Sequence, residues 1–229
     1  MISALSAAQA RPPGAAQRLR GFGPLGVLAV LVILAGSLLG PPVGALLVLA
    51  WARLSGTPPQ ALGFRPPRSW SVTLAAGVAS GIVLKLGMKA VVMPLLGAPA
   101  SNMQYRWLVG NSGALPGMVA VILVSAGFGE EVVFRGYLFE RLGKLLGPSK
   151  VAVAATVLLS AALFALAHSR DQGLPGVEQA AVTGLAFGGI FAWRKQIWAV
   201  MIAHVAFDLT AVMLIYGNWE VTVAHLLFR

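Results

Sequence analysis

The stretch "ALPGMVAVILVSAGFGEEVVFRGYLFERL", residues 114–142, places two adjacent glutamates and an arginine inside a long apolar run. A helix needs roughly 20 mainly apolar residues to cross the hydrocarbon core of a membrane, and this stretch is longer than that. It lacks the strict alternation of apolar and polar residues that a membrane barrel strand has. The stretch therefore predicts a transmembrane helix that carries ionisable groups.

The rest of the chain has the same apolar character. Of its 229 residues 58% are hydrophobic and 10% charged, and the mean hydropathy is +0.81, far from an ordinary soluble domain. We expect an all-α, polytopic membrane helix bundle of about seven transmembrane helices, within a range of six to eight. The proline pair in "GPP" at 40–42 divides the first apolar region in two. The predicted spans lie within 21–52 (two spans), 71–96, 114–142, 151–168, 177–193 and 196–216.

The positive charges are distributed unevenly along these spans. The net charge is +10, but the basic residues form short clusters between apolar runs, where lipid headgroups account for them, so nucleic acid is excluded as a partner. Seven spans place most Arg and Lys residues on the side of the N-terminus and leave Arg106, Arg170 and Arg229 on the other. By the positive-inside rule the N-terminus is cytoplasmic. The Ala, Gly and Leu richness suggests a bacterial inner membrane protein.

The domain organisation is simple. Residues 1–20 are predicted to form a disordered, basic cytoplasmic tail, and residues 21–229 a single transmembrane helical domain without a visible repeat. Cysteine is absent, which excludes disulfides, thiolate metal sites and a cysteine nucleophile. Lys85 and Lys89 are expected to snorkel or to face the bundle, and Glu140 to be solvated.

The ionisable residues of the spans are the candidate site. A charge at bilayer depth costs roughly 2.5 to 3.5 kcal/mol on insertion scales, so such a group is retained when it pairs or performs a function. Glu131 and Arg135 are four residues apart and can form an ion pair on one helix face. Glu130 points about 100° away from that face and needs another partner.

Two other spans carry histidine. His168 ends the fifth span, and His204 and Asp208 share one face of the seventh. Together with Glu130 they would supply a general base, imidazoles that orient water or bind a metal, and a group beside a reacting carbonyl. That combination suits hydrolysis, whereas a purely structural polar network is the simpler interpretation of each group alone.

Three motifs therefore follow one another on successive apolar segments: Glu130-Glu131-x-x-x-Arg135, Phe164-x-x-x-His168 and His204-x-x-x-Asp208. In this order they resemble the CAAX prenyl protease and bacteriocin-processing (CPBP, Abi-type) family of intramembrane proteases. The resemblance covers about residues 114–216. It implies that Glu130 with His168 activates the attacking water and that His204 with its partner stabilises the oxyanion. The same resemblance implies that Glu131 and Arg135 support the catalytic site.

Asp208 departs from the family pattern, which often has Asn there. An ionised Asp cannot donate a hydrogen bond, so Asp208 is protonated, orients His204 or helps to bind a metal, and we favour orientation of His204. Glu130, His168 and His204 are also the two-His, one-carboxylate set of a hydrolytic Zn²⁺ site. A metal-free glutamate mechanism needs the same residues, so both mechanisms stay open.

The predicted function is an intramembrane endopeptidase that acts on a hydrophobic or prenylated peptide within membrane lipid. CAAX-type tails, bacteriocin precursors and other membrane peptides all fit. The signatures of other intramembrane proteases, HExxH, GxSxG and GxGD, are absent from the sequence. The alternative is a non-catalytic membrane protein, either a transporter or an immunity-type protein that binds a partner through the buried Glu, His and Asp.

Overall fold

The computed structural model describes residues 14–228, which fold into helices and form no strand. The all-α prediction is confirmed. In chain order the helices are α1 (Ala15–Arg20), α2 (Pro24–Leu38), α3 (Pro41–Leu54), α4 (Trp70–Leu95), α5 (Ser112–Leu146), α6 (Lys150–Ala167), α7 (Ser169–Arg194), α8 (Ile197–Tyr216) and α9 (Glu220–Ala224). Two 3₁₀ turns, Pro59–Leu62 and Met103–Leu108, lie in the loops before α4 and α5.

The helix ends follow the local sequence. Gly40 separates α2 from α3 with a φ of 141°, which is accessible to glycine and strained for other residues. Pro41 then occupies the first turn of α3, where a missing N–H costs nothing. Ser69 and Ser149 cap α4 and α6, because each hydroxyl accepts the backbone N–H three residues later. The predicted break at 40–42 is confirmed.

Membrane crossing is supported by helix length and apolarity. Within residues 14–228, four helices are long and apolar enough to span a membrane: α4, α5, α6 and α8. The apolar helices α2 and α3 are shorter, with 15 and 14 residues. The sixth predicted span lies in α7, whose backbone is kinked at Gly173. Each of the seven predicted spans thus coincides with a helix, and an integral membrane bundle results.

The long helix α5 is packed on two sides. It contacts α3 and α8, while α4 runs along α8 and α6 along α7. The main core lies among these helices and includes Val48, Val132, Phe187 and Val200, all nearly inaccessible to solvent. This arrangement brings the middle of α5 opposite the first half of α8, where two of the three motifs lie.

Two expectations differ from the structure. Residues 15–20 of the predicted disordered tail form helix α1, while residues 1–13 and Arg229 lie outside the described part of the chain. Glu140, expected to be solvated, is buried, because Lys144 lies 3.0 Å away and the guanidinium groups of Arg20 and Arg141 each lie 3.7 Å away. The Arg141 guanidinium also donates to the carbonyl oxygens of Arg20 and Gly21, which fixes α1 to α5.

Candidate active site

A cavity of about 200 Å³ lies among α4, α5, α7 and α8 and the end of α6. Four of the six predicted site residues line it: Glu130, His168, His204 and Asp208. The three motifs, which are far apart in sequence, therefore meet at one cavity. Glu131 and Arg135 lie behind its wall and are almost completely buried.

Behind this wall, Arg135, Glu131 and His204 form a continuous chain of contacts. Arg135 Nη1 donates to Glu131 Oε1 at 2.9 Å, and His204 Nδ1 lies 2.6 Å from the same oxygen. Because a carboxylate oxygen accepts, Nδ1 is the donating nitrogen. The carboxylate thus fixes the imidazole so that Nε2 faces Glu130 and Asp208. The predicted ion pair between Glu131 and Arg135 is present.

Aromatic rings hold the arginine and both histidines. The Arg135 guanidinium lies 4.4 Å from the ring centroid of Phe164 and 5.7 Å from that of Phe187. The ring of Phe164 also contacts His168, at 4.6 Å between centroids, and His204, at 6.0 Å. Cation–π contacts of a desolvated guanidinium contribute on the order of 2 kcal/mol. Phe164, part of the second motif, therefore connects the buried ion pair with both imidazoles.

Glu130 on α5 lies opposite His204 on α8. Its Oε2 atom lies 3.9 Å from His204 Nε2 and, among the described residues, is buried without a hydrogen-bond partner. A Cβ on Gly127 would collide with the Val205 side chain, and one on Gly129 would lie 2.8 Å from the Pro41 backbone. These two glycines let α5 approach α8 and α3 closely, which places Glu130 at the cavity.

His168 stands between α6 and α7. Its Nδ1 atom lies 2.8 Å from the Phe164 carbonyl oxygen, so Nδ1 donates and Nε2 is left as the acceptor of a neutral ring. Asp208 Oδ2 lies 3.6 Å from His204 Nε2, which is too long for a hydrogen bond. The orientation of His204, which we expected from Asp208, is thus provided on the other ring nitrogen by Glu131.

The backbone around the site departs from a regular α-helix. Residues Ile122–Glu130 and Val132–Tyr137 of α5 and residues Met88–Val92 of α4 form π-helical turns. Such turns are rare and frequently occur at functional sites. They shift the direction of side chains away from the 100° spacing assumed from sequence. The segments Met88–Val92 and Ile122–Glu130 border the cavity, and Val132–Tyr137 carries Arg135 behind its wall.

The donor set does not fit a bound metal as arranged. Among the described side chains no group of three His, Asp and Glu residues stands together as metal ligands. His204 presents Nε2 near the Glu130 carboxylate, but His168 does not join them in one coordination set.

The cavity also contains polar residues outside the three motifs. Lys85 donates to Gln179 Oε1 and Lys89 to Glu220 Oε1, each at 2.8 Å. Both lysines are buried and line the cavity, so they face the bundle. Their four-residue spacing in an apolar span was the available sequence signal. No sequence signal pointed to Gln179, because its contact with Lys85 depends on how α7 packs against α4.

The cavity is asymmetric along the bundle. It runs from Glu130 and His204 towards the helix ends at the loops 96–111 and 217–219 and at the junction of α6 and α7, and Asn102, Gln172 and Glu220 border it there. We call this end the open face. The opposite end, the basic face, carries these residues, none of which lines the cavity: Arg53, Arg65, Arg68, Arg141, Lys144, Lys150, Arg194 and Lys195.

Comparison with known proteins supports the motif analysis. The model of the family described as type II CAAX prenyl endopeptidase Rce1-like matches residues 112–210, somewhat less than half of the chain. Neither the curated proteins nor the solved structures contain a significant match. The matched stretch begins at the start of α5 and ends within α8, and it includes all three motifs. The match confirms the family resemblance that the motifs predict.

Proposed function

We propose that this protein is an intramembrane endopeptidase in which Glu130 activates water for hydrolysis of a peptide bond in a hydrophobic or membrane-associated substrate. The observation that carries the proposal is the buried Oε2 of Glu130, which has no hydrogen-bond partner among the described residues and faces the cavity beside an imidazole fixed from behind. Membrane lipid surrounds the bundle, and prenylated tails and bacteriocin-type precursors are both candidate substrates. The family match to a prenyl endopeptidase model supports the reaction class.

Glu130 would take a proton from water while the hydroxyl oxygen forms a bond to the carbonyl carbon. His168, whose Nε2 is free to accept, would help to orient that water. His204, protonated and fixed by Glu131, would donate from Nε2 to the oxyanion. The proton on Glu130 then passes to the leaving amine as the C–N bond breaks, so the reaction yields a carboxylic acid and an amine and restores the base.

The test is cleavage of a library of hydrophobic and prenylated peptides by the purified protein in liposomes. We expect Glu130→Gln and His168→Ala to lose activity by a factor of about 10² to 10⁴, the usual contribution of a positioned acid or base. Glu178→Gln is the matched control, since this half-buried glutamate lies on α7 and does not line the cavity. Full activity in Glu130→Gln would refute the proposed base.

Two other outcomes have defined meanings. Chelator-sensitive cleavage that added Zn²⁺ restores would replace the glutamate mechanism by a metal-dependent one. A folded wild-type protein that cleaves no peptide would favour the non-catalytic alternative, in which the same buried groups carry protons or bind a partner.

A further inference from the structure

The two lysines of α4 differ in how their charges are compensated. Lys89 forms an ion pair with Glu220, whose carboxylate also accepts the backbone N–H of Asn102. Lys85 instead donates to the neutral amide oxygen of Gln179 and lies 4.8 Å from the ring centroid of Phe207. Among the described residues no carboxylate lies within ion-pair distance of Lys85. Lys85 is thus a buried cation at the cavity without an anion in contact.

Such a group is suited to bind an anion. An ammonium has three N–H donors, and the bond to Gln179 uses one of them. Because the Gln179 oxygen accepts from Lys85, its NH₂ group remains available as a donor. Charge-assisted hydrogen bonds to a carboxylate are about twice as strong as neutral ones, and an approaching carboxylate would also compensate the buried charge.

We propose that Lys85 and Gln179 form a subsite for a carboxylate of the substrate, adjacent to the scissile bond. The proposal rests on the proposed peptidase function, because Lys85 and Glu130 line one cavity. The carboxylate is the C-terminal group of the peptide or an Asp or Glu side chain. Glu130, which also lines the cavity, would repel a carboxylate placed beside it and direct it towards Lys85.

The test compares three versions of a cleavable peptide: a free C-terminal carboxylate, a C-terminal amide, and the amide with one acidic side chain near the cleaved bond. We expect wild type to prefer at least one carboxylate form over the plain amide by tenfold or more in kcat/KM, mainly through KM. Lys85→Met should abolish the preference, because its kcat/KM for the carboxylate form should fall to that for the amide, whereas Lys85→Arg should retain part of it. The preferred form identifies the source of the carboxylate.

Lys89→Gln is the matched control. It removes a cation of the same helix whose charge is already compensated by Glu220, so this variant should keep the preference for the carboxylate form. An equal loss on all three peptides in Lys85→Met, or an unchanged preference, would overturn the subsite. A second measurement separates this idea from the peptidase itself: thermal stabilisation of Glu130→Gln by a short peptide acid and its amide. Selective stabilisation by the acid without cleavage in wild type would refute the peptidase function and keep the subsite.

A different observation, the asymmetry of the cavity, supports a second inference. The cavity reaches the open face and not the basic face. Basic loops are retained in the cytoplasm, so the basic face is the cytoplasmic one. We infer that the site receives water and substrate from the non-cytoplasmic side. Of the candidate substrates, this orientation favours exported or outward-facing hydrophobic peptides over the prenylated tails of cytoplasmic proteins.

The absence of cysteine makes this inference directly testable. Asn102→Cys places one thiol on the open face, and Arg68→Cys places one on the basic face, both at exposed positions. In intact cells with a permeabilised outer envelope, a membrane-impermeant maleimide should label Asn102→Cys at once and Arg68→Cys after cell lysis. Labelling of Arg68→Cys in intact cells, alone or together with Asn102→Cys, would overturn the assignment.

Discussion

Helix α5 carries two glutamates that each lie four residues before a basic residue, and the two pairs have different surroundings. Glu131 and Arg135 are almost fully buried, and Glu131 extends the contact to His204. Glu140 pairs with Lys144, whose side chain is 35% exposed, at the end where Arg141 holds α1. The spacing is identical, so the helices opposite each pair, not the pair itself, decide whether it belongs to a site or to an anchor.

The largest effect is expected when one member of the buried pair is removed. Arg135→Met removes the guanidinium partner of the buried Glu131 carboxylate and leaves His204 as its remaining partner, and breaking a buried pair in this way costs about 3 to 5 kcal/mol. Thermal unfolding in detergent should show a large loss of stability. The double variant Glu131→Leu/Arg135→Met should recover much of it without activity. A double variant as unstable as the single one would contradict the charge argument.

A loss of activity larger than its loss of stability is expected from Glu131→Gln, which also leaves the buried Arg135 charge less compensated. The amide oxygen still accepts from His204 Nδ1, but the negative charge that favours an imidazolium is lost, so cleavage should fall by about 10² to 10⁴. Near-wild-type turnover in a folded variant would show that His204 does not need a charged partner. Comparison with Glu140→Gln, measured on the same peptide, separates catalytic from general effects.

Glu140→Gln itself should weaken the anchor. Replacing a carboxylate surrounded by Lys144, Arg20 and Arg141 leaves these cations less compensated, and we expect a loss of about 1 to 3 kcal/mol. Helix α1 should then become more sensitive to protease, while kcat stays near the wild-type value. A fall in kcat as large as that of Glu131→Gln would show that the two pairs are coupled.

The smallest effect is expected from Lys144→Met. This lysine is partly exposed, and solvent screening limits such pairs to about 0.2 to 1 kcal/mol. A shift in unfolding temperature close to the error of the measurement is the expected result. A shift comparable to that of Arg135→Met would show that exposure does not distinguish the two pairs.

Much of this contrast could be predicted from the chain. The length of the apolar runs predicted the spans, and the break at Gly40–Pro42 predicted two short helices. The four-residue spacing predicted the ion pair between Glu131 and Arg135. These features depend on neighbours within a few residues. The contacts of His204 with Glu131 and of Lys85 with Gln179 join residues 73 and 94 positions apart, so they depend on helix packing. The π-helical turns were also missed, because composition does not indicate where an extra residue enters a turn.

The two close backbone contacts beside Glu130 affect how this protein tolerates sequence change. Gly127 and Gly129 lie against Val205 and Pro41, and neither has room for a methyl group. In a saturation scan of every position, these two glycines should be as intolerant as Glu130, which follows Gly129, although neither glycine bears a reactive group. Functional constraint on α5 would then extend to residues that only position Glu130. A list of intolerant positions would therefore contain more residues than those that take part in the reaction.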